Sequence, residues 1–220
     1  MTIHRQRSWG AAFLLLALAA LAFGQTAAKL PADLDPVSRA RLPYLQRKDA
    51  DEKSQKLFDT FKSADGLLKG PLAFASYNPA VANALLDLHN AAVGQGTLDA
   101  HVRELAIMVA CRETNYNLEW NGHEASALKA GVDPKVIDIV RNNRALTGVD
   151  EKDAVVIRFG HQMLHDQKMD SATFAKAVQL FGKRGAMDMV AVMSTYAVSG
   201  FFGIAVDEHA APGSPELPTK

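Results

Sequence analysis

The stretch NYNLEWNGHEA, residues 115–125, holds three side chains that could do chemistry, spaced three and then four residues apart. In a helix, Tyr116, Glu119 and His123 would share one face, because positions three and four apart are neighbours there. A carboxylate beside an imidazole orients the ring and lets it carry a proton near neutral pH, and a tyrosine hydroxyl can donate to a substrate oxygen. The same stripe also suits a buried polar clasp between two helices, so the spacing leaves a site and a clasp open.

A second carboxylate, Glu104, lies in the preceding apolar run RELAIMVAC. In one uninterrupted helix Glu104 and His123 would point about 100° apart and could not meet. The polar residues 114–117 are typical helix caps, so they predict a break there. A helical hairpin would then bring the carboxylate to the imidazole, which makes His123 the predicted proton carrier, oriented by Glu104 and assisted by Glu119.

The elements that must position these groups are predicted to be helices. Caps and apolar spacing indicate helices over residues 51–63, 78–93, from 98 through RELAIMVAC, from the caps at 114–117 to 131, from 133, 150–165, 171–181 and 186–205, and no segment shows a strand pattern. The last helix is almost long enough to span a membrane. Its Asp188 and its small residues favour packing in a core or an oligomer interface instead.

The N-terminus has the pattern of a secretory signal peptide over residues 1–24. It begins with the basic residues His4, Arg5 and Arg7 and continues with an apolar run over 11–23. That run is shorter than the roughly 20 residues of a spanning helix, so cleavage after Gly24 or Ala28 is expected rather than anchoring. We therefore expect a periplasmic or secreted protein without a membrane segment after cleavage, with residues 25–50 as an extended arm.

Composition predicts a globular chain, with 48% hydrophobic and 22% charged residues among 220. The 24 basic and 24 acidic side chains balance, which argues against nucleic-acid binding. The single cysteine, Cys111, has no partner for an intramolecular disulfide. It lies in an apolar helical run, where a thiol usually serves as a small hydrophobe rather than as a reactive group.

The segment RELAIMVACRETNYNLEWNGHEASALKAGVDPKVIDIV resembles the core helix pair of the carboxymuconolactone decarboxylase family, whose relatives include the alkyl hydroperoxidase D peroxidases. The residues that carry the resemblance are Arg103-Glu104 with LAIMVA, Glu119-Trp120, His123 and Ala130-Gly131. The preceding GPLAFASYNPAVANALLDL and the late helix around Tyr196 are also similar, so the resemblance covers residues 51–206. Residues 207–220 are then expected to be a flexible tail.

The resemblance implies an all-α, single-domain, alkyl hydroperoxidase D-like bundle that assembles as a homo-oligomer, a trimer or hexamer. It implies Glu104 and His123 as the catalytic pair. The residues themselves add Glu119, one turn before His123, as a third catalytic candidate that shares or replaces the orienting role of Glu104, and Tyr116, Trp120 and Arg103 as substrate-binding candidates. Each has a simpler interpretation: Trp120 as core, Arg103 as an ion-pair residue, and the Glu–His pair as a structural clasp.

The sequence departs from the peroxidase relatives at the decisive positions. Those relatives carry Cys-x-x-Cys before the histidine, and Tyr116 and Glu119 stand in the two cysteine places. Neither can attack peroxide or resolve a sulfenic acid, so a dithiol peroxidase is the least favoured function. The leading hypothesis is a cofactor-free lyase acting on a small carboxylated lactone or related acid. The alternative is a non-catalytic binding or accessory oligomer of the same fold.

One further histidine pair, His161 and His165, has the i, i+4 spacing of zinc ligands. Glu119 and His123 have the same spacing. No third ligand is readable at either place from the sequence, so no metal and no other cofactor is predicted.

Overall fold

The computed structural model describes residues 31–61 and 63–219. Every regular element in this part of the chain is helical, so the all-α prediction is correct. The α-helices are α1 (Glu52–Phe61), α2 (Pro71–Ala75), α3 (Pro79–His89), α4 (Ala100–Thr114), α5 (Asn117–Lys129), α6 (Pro134–Arg141), α7 (Glu151–Leu164) and α8 (Ser171–Ala205). The predicted signal peptide, residues 1–24, lies outside the described residues.

The helices begin where the sequence places capping side chains. Asp99, Asp133, Asp150 and Asp170 each accept a hydrogen bond from a backbone N–H of the first helical turn. Asn78 does the same for α3. Such caps satisfy donors that have no partner inside the helix, which fixes the helix starts locally.

The core forms around α4, whose residues from Leu105 to Arg112 are all buried. α4 packs against α5, α7 and α8, so apolar residues cover it on several sides. The approach of α7 is close enough that a Cβ at Gly160 would overlap the side chain of Val109. A helix surrounded in this way is apolar around its circumference, which explains why α4 shows no amphipathic stripe.

The long helix α8 is broken at Gly182, whose φ of 73° and ψ of 169° are not helical. The break agrees with the two separate helices predicted over 171–181 and 186–205. Among the described residues, α8 is the one helix whose length and composition would allow it to cross a membrane. Its buried residues Met189, Val192 and Met193 lie in the main core of the domain.

The two ends of the described chain pack together beside α8. Backbone hydrogen bonds join Arg41 to Val206 and His209 to Arg39. Ala40 and Val206 belong to a second apolar cluster with α1, α2 and α3. The residues of the predicted arm from position 31 onward are therefore held against the domain.

The prediction of a flexible tail over residues 207–220 does not agree with the described part of that segment. Leu217 is buried in the main core, and its N–H donates to the Asn117 side chain at 2.6 Å. The carbonyl of Pro215 accepts from Asn121 at 3.0 Å. The expectation rested on the end of the resemblance at residue 206, whereas Leu217 and these hydrogen bonds hold the segment on α5.

Candidate functional site

The structure brings Glu104 and His123 into direct contact. The distance between Glu104 Oε2 and His123 Nδ1 is 3.0 Å, so a ring N–H at Nδ1 donates to the carboxylate. The Glu104 side chain is 12% exposed and the His123 side chain 22% exposed, so the pair is mostly but not fully enclosed. A carboxylate in this position fixes both the tautomer and the orientation of the ring.

The contact depends on the break between α4 and α5. α4 ends at Thr114, and Asn115 follows in the left-handed conformation with φ of 55° and ψ of 39°. Asparagine tolerates this conformation better than most residues, and Asn115 Oδ1 also accepts from Arg112 at 2.6 Å. The predicted break is therefore present, and it folds α5 back on α4.

Glu119 lies at the other nitrogen of the same imidazole. Glu119 Oε2 is 3.6 Å from His123 Nε2, and the two residues are one helical turn apart on α5. Burial raises the pKa of Glu119, while the neighbouring His123 opposes the shift. The ring thus stands between two carboxylates, with Glu104 at Nδ1 and Glu119 at Nε2. Because the two carboxylates face opposite nitrogens, one ring nitrogen and both carboxylates cannot bind the same metal ion.

An aromatic side chain packs on this histidine, and a second histidine packs on that aromatic ring. The Tyr196 ring from α8 meets the His123 ring edge-on, with 4.9 Å between centroids and an interplanar angle of 87°. His89 from α3 lies on Tyr196 with a centroid distance of 5.9 Å. Burial lowers the pKa of His89, and the charge of His123 lowers it further. Burial and the nearby Glu119 raise the pKa of Tyr196, which keeps its hydroxyl protonated.

A cavity of about 290 Å³ opens beside the site. Its polar lining comes from Glu119, His89, Asn90, Lys69 and Ser199. Its apolar lining comes from Phe61, Pro71, Leu72, Leu85 and Leu86. Glu104, Glu119 and His123 form the candidate acid–base set. Of these three residues, Glu119 lines this cavity, and His123 lies behind Glu119. A small molecule with an apolar body and one or two polar groups fits such a lining.

Tyr116 is not directed at this cavity. It is 3% exposed, and its hydroxyl donates to Glu208 from the C-terminal segment. Its ring lies so close to α8 that a Cβ at Gly203 would overlap it. The structure therefore places Tyr116 in a contact between α5, α8 and the C-terminal segment, rather than in the substrate-binding position predicted for it.

Trp120 and Arg103 take different positions. Trp120 is 1% exposed, donates to Glu124 at 3.2 Å and lies under the Arg141 guanidinium, so it is a core residue. Arg103 lies beside the site, with its Nε 3.9 Å from Glu104 Oε1. That Nε is buried and has no hydrogen-bond partner among the described residues. Of these two, Arg103 is the one with a donor left over near the acid–base set.

Cys111 is 1% exposed in the core of α4. Burial raises the pKa of its thiol well above the ordinary value, and the charges of Glu119 and Glu104 raise it further. A thiol in this environment stays protonated and is a poor nucleophile. The small-hydrophobe interpretation agrees with this placement.

The carboxymuconolactone decarboxylase family model matches residues 79–158, from the start of α3 into α7, and this range contains Glu104, Glu119 and His123. The resemblance to that family is confirmed over this segment. A solved structure of an uncharacterized peroxidase-related protein from Silicibacter sp. TM1040 is similar with a TM-score of 0.63 and 19% identity, covering 87% of this chain and 97% of that one. This match confirms the predicted alkyl hydroperoxidase D-like helical fold. No curated protein matches the chain in sequence.

Sequence reasoning missed the contribution of helices outside the core pair. Tyr196 contacts His123 from α8, and Glu208 bonds to Tyr116 from beyond the last helix. The resemblance included the late helix around Tyr196, but it did not indicate that this ring meets His123. Glu208 gave no signal, because nothing in its local pattern indicates which helix the C-terminal segment meets.

Proposed function

We propose that the chain is a cofactor-free lyase that uses a Glu–His–Glu proton relay on a small carboxylated lactone or related acid. The observation that carries the proposal is the geometry of the relay: Glu104 is hydrogen-bonded to Nδ1 of His123, Glu119 lies 3.6 Å from Nε2, and Glu119 lines the cavity. A purely structural clasp would need only the contacts between these three side chains. The cavity next to Glu119 gives a small molecule access to them, which supports a catalytic role.

The proposed chemistry is decarboxylation with protonation of the carbon left behind. The bond to the substrate carboxylate breaks, carbon dioxide leaves, and the electron pair stays on the substrate carbon, where an adjacent carbonyl delocalises it. Glu119 delivers a proton to that carbon and regains one from His123 Nε2. Glu104 holds Nδ1 and stabilises the charge on the ring during the transfer. The raised pKa of Glu119 favours this role, because the buried acid retains its proton more readily than an exposed one.

The substrate class follows from the lining and its surroundings. The apolar side takes the body of the molecule, while Lys69, His89 and Asn90 offer donors to oxygen atoms. The free Nε donor of Arg103 beside Glu104 adds a cationic group close to the site. These groups favour a substrate that carries a carboxylate and carbonyl oxygens.

Carbon dioxide release from a panel of lactones and carboxylated acids tests the proposal. We expect His123→Ala to lower kcat by about 10²–10⁴-fold, the range of general acid–base catalysis. The matched control is His101→Ala, which removes a histidine of α4 that is paired to Asp153 at 2.7 Å and has no contact with His123, and it should leave turnover unchanged. Circular dichroism of both variants checks that they fold. Full turnover in folded His123→Ala would contradict the proposal.

The second candidate is a binding or accessory protein of the same fold. The packing of His123 edge-on against Tyr196 favours it, because that contact limits how far the ring can move towards a substrate. It predicts that no panel member is turned over, while ligands of the cavity raise the melting temperature of the wild type and of His123→Ala equally. The same purified proteins therefore separate the two candidates.

We also propose export of the chain through the signal peptide over residues 1–24. The support is the basic start, the apolar run and the small residues at the cleavage position. Expression with this segment should yield a periplasmic or secreted protein whose N-terminal sequencing begins after Gly24 or Ala28. An uncleaved chain retained in the membrane fraction would oppose this proposal.

Assembly as a homo-oligomer, a trimer or hexamer, is a further proposal. An exposed apolar stripe on α8 supports it, formed by Val198, Phe201 and Ile204 at intervals of three residues. Phe201→Glu should lower the mass measured by light scattering to that of the monomer. Phe174→Glu, on the part of α8 before Gly182, is the matched control because Phe174 is also exposed. A monomeric wild type would contradict the proposal.

A further inference from the structure

A second cluster of histidines and a carboxylate lies where the C-terminal ends of α4 and α7 meet. Glu113 Oε1 is 2.7 Å from His161 Nδ1, and Glu113 Oε2 is 3.7 Å from His165 Nδ1. The two histidines have zinc-ligand spacing, and the structure supplies from α4 the third ligand that the sequence did not reveal. The Glu113 side chain is 5% exposed, so its two oxygens are held in place beside the rings.

The distances suit a small ion with nitrogen and oxygen ligands. The three ligand atoms lie within 4.8 Å of one another. A tetrahedral zinc ion at its usual bond lengths separates its ligand atoms by about 3.3 Å, which falls between the two measured distances to Glu113. The rings stack with centroids 4.6 Å apart and planes 13° apart, so one ring must turn to point its nitrogen at a shared ion. His165 is 54% exposed and has the space to turn.

The direction of the two helices favours a cation at this place. His101 pairs with Asp153 near the N-terminal ends of α4 and α7, while Glu113 pairs with His161 near their C-terminal ends, so the helices run parallel. The C-terminal end of a helix carries partial negative charge and unpaired carbonyl groups. Two such ends converge on the Glu113 cluster. The N-terminal ends of the same helices carry partial positive charge next to His101 and Asp153, which disfavours a cation there.

The surroundings provide support for the ligands and room for a further one. Asp166 Oδ1 is 3.7 Å from His161 Nε2, the ring nitrogen that does not face Glu113. A carboxylate in that position orients a metal-binding histidine and raises its basicity.

Glu113 and His161 also line a cavity of about 200 Å³, together with Arg112, Arg144 and Arg158. The arginines oppose a bare ion, but they attract an anion that completes its coordination.

We propose that Glu113, His161 and His165 bind one divalent transition-metal ion of the zinc class. Three protein ligands leave one position for water or a small anion from the arginine-lined cavity. The two imidazole ligands favour zinc and its neighbours over magnesium or calcium. This site is separate from the His123 site and does not depend on the proposed lyase activity.

Calorimetric titration of the tag-free protein with zinc chloride tests the site. We expect one ion per chain at neutral pH. His161→Ala, His165→Ala and Glu113→Gln should each weaken binding by about 10-fold or more, since even loss of a supporting group costs that much. His165 is the most exposed of the three, so His165→Ala keeps the test decisive if a buried substitution impairs folding.

The matched control is His101→Ala, which removes a histidine with a buried carboxylate partner but no second histidine. It should bind zinc as the wild type does. Absence of binding by the folded wild type would overturn the proposal. Unchanged zinc binding in both His165→Ala and His161→Ala would also overturn it. Loss of zinc binding in His123→Ala instead would overturn it too, because the ion would then bind at the His123 site.

Discussion

The imidazole of His123 has a different carboxylate at each nitrogen, and the two carboxylates differ in their surroundings. Glu104 is on α4 and is held against Arg103, whereas Glu119 lines the cavity. In the proposed relay, this placement makes Glu104 the orienting group and Glu119 the group that a substrate meets. If the relay operates as proposed, substitution of Glu104 and substitution of Glu119 should change different kinetic constants.

Glu119→Gln keeps the size of the side chain and removes the acidic carboxyl group. We expect kcat to fall by about 10²-fold or more, with KM changed only a few-fold, because the acid acts in the transition state rather than in binding. Steady-state kinetics on the best substrate of the panel measures both constants. A raised KM with unchanged kcat would mean that Glu119 only binds the substrate.

The buried thiol of Cys111 gives a second prediction for a single residue. Burial and the nearby carboxylates raise its pKa, so we expect a thiol-specific reagent to label it only after the protein is unfolded in guanidinium. Peroxide consumption should be the same for wild type and Cys111→Ala. Rapid labelling of the native protein, or peroxide consumption lost with Cys111, would restore a thiol peroxidase as a candidate.

At the scale of elements, α8 packs closely on the junction between α4 and α5. Gly200 faces Thr114, and Gly203 faces Tyr116. The small residues of α8 were predicted to serve close helix packing, and these two contacts are of that kind. Because α8 also carries Tyr196, its approach sets how tightly the His123 ring is enclosed.

Gly203→Ala tests this packing. A Cβ there would overlap the ring and hydroxyl of Tyr116, so we expect the free energy of unfolding to fall by about 1–3 kcal/mol. The control is Gly122→Ala in α5, where an added Cβ meets nothing within 4 Å and should stabilise the helix by about 0.5–1 kcal/mol. Urea denaturation measures both. Equal stability of the Gly203 variant and the wild type would show that α8 lies farther away.

At the scale of the molecule, the C-terminal segment joins the arm to the helical core through Glu208. Tyr116 donates to one oxygen of this carboxylate, and Tyr44 donates to the other at 3.3 Å. Burial raises the pKa of Glu208 to about 6, although both hydroxyls oppose the shift. The folded protein therefore binds this proton more tightly than the unfolded chain does.

A carboxyl group whose pKa is higher in the folded protein than in the unfolded chain stabilises the fold fully at pH values below the unfolded-state pKa. This contribution is lost as the pH rises through the folded-state pKa. For Glu208 that window runs from about 4.5 to about 6, and the loss is about 2 kcal/mol. Glu208→Gln cannot ionise. We therefore expect its stability relative to the wild type to rise by that amount across the window, as measured by urea denaturation at several pH values. A difference that does not change with pH would contradict the assignment.

The sequence by itself determined the helices, their caps and the break that separates α4 from α5. These features depend on residues a few positions apart, and both the asparagine at position 115 and the capping aspartates act locally. It also named Glu104, Glu119 and His123 as candidates, through the family resemblance and the polar stripe, and the structure brings these three side chains together.

Only the tertiary structure decided which distant groups meet. Nothing local indicates that Glu113 joins His161, that Glu208 takes the hydroxyl of Tyr116, or that α8 places Tyr196 on His123. These contacts depend on how whole helices pack, and many packings satisfy the same apolar pattern until the side chains at each crossing are fitted together. The helical hairpin was therefore predictable, while the enclosure of the site and the second histidine cluster were not.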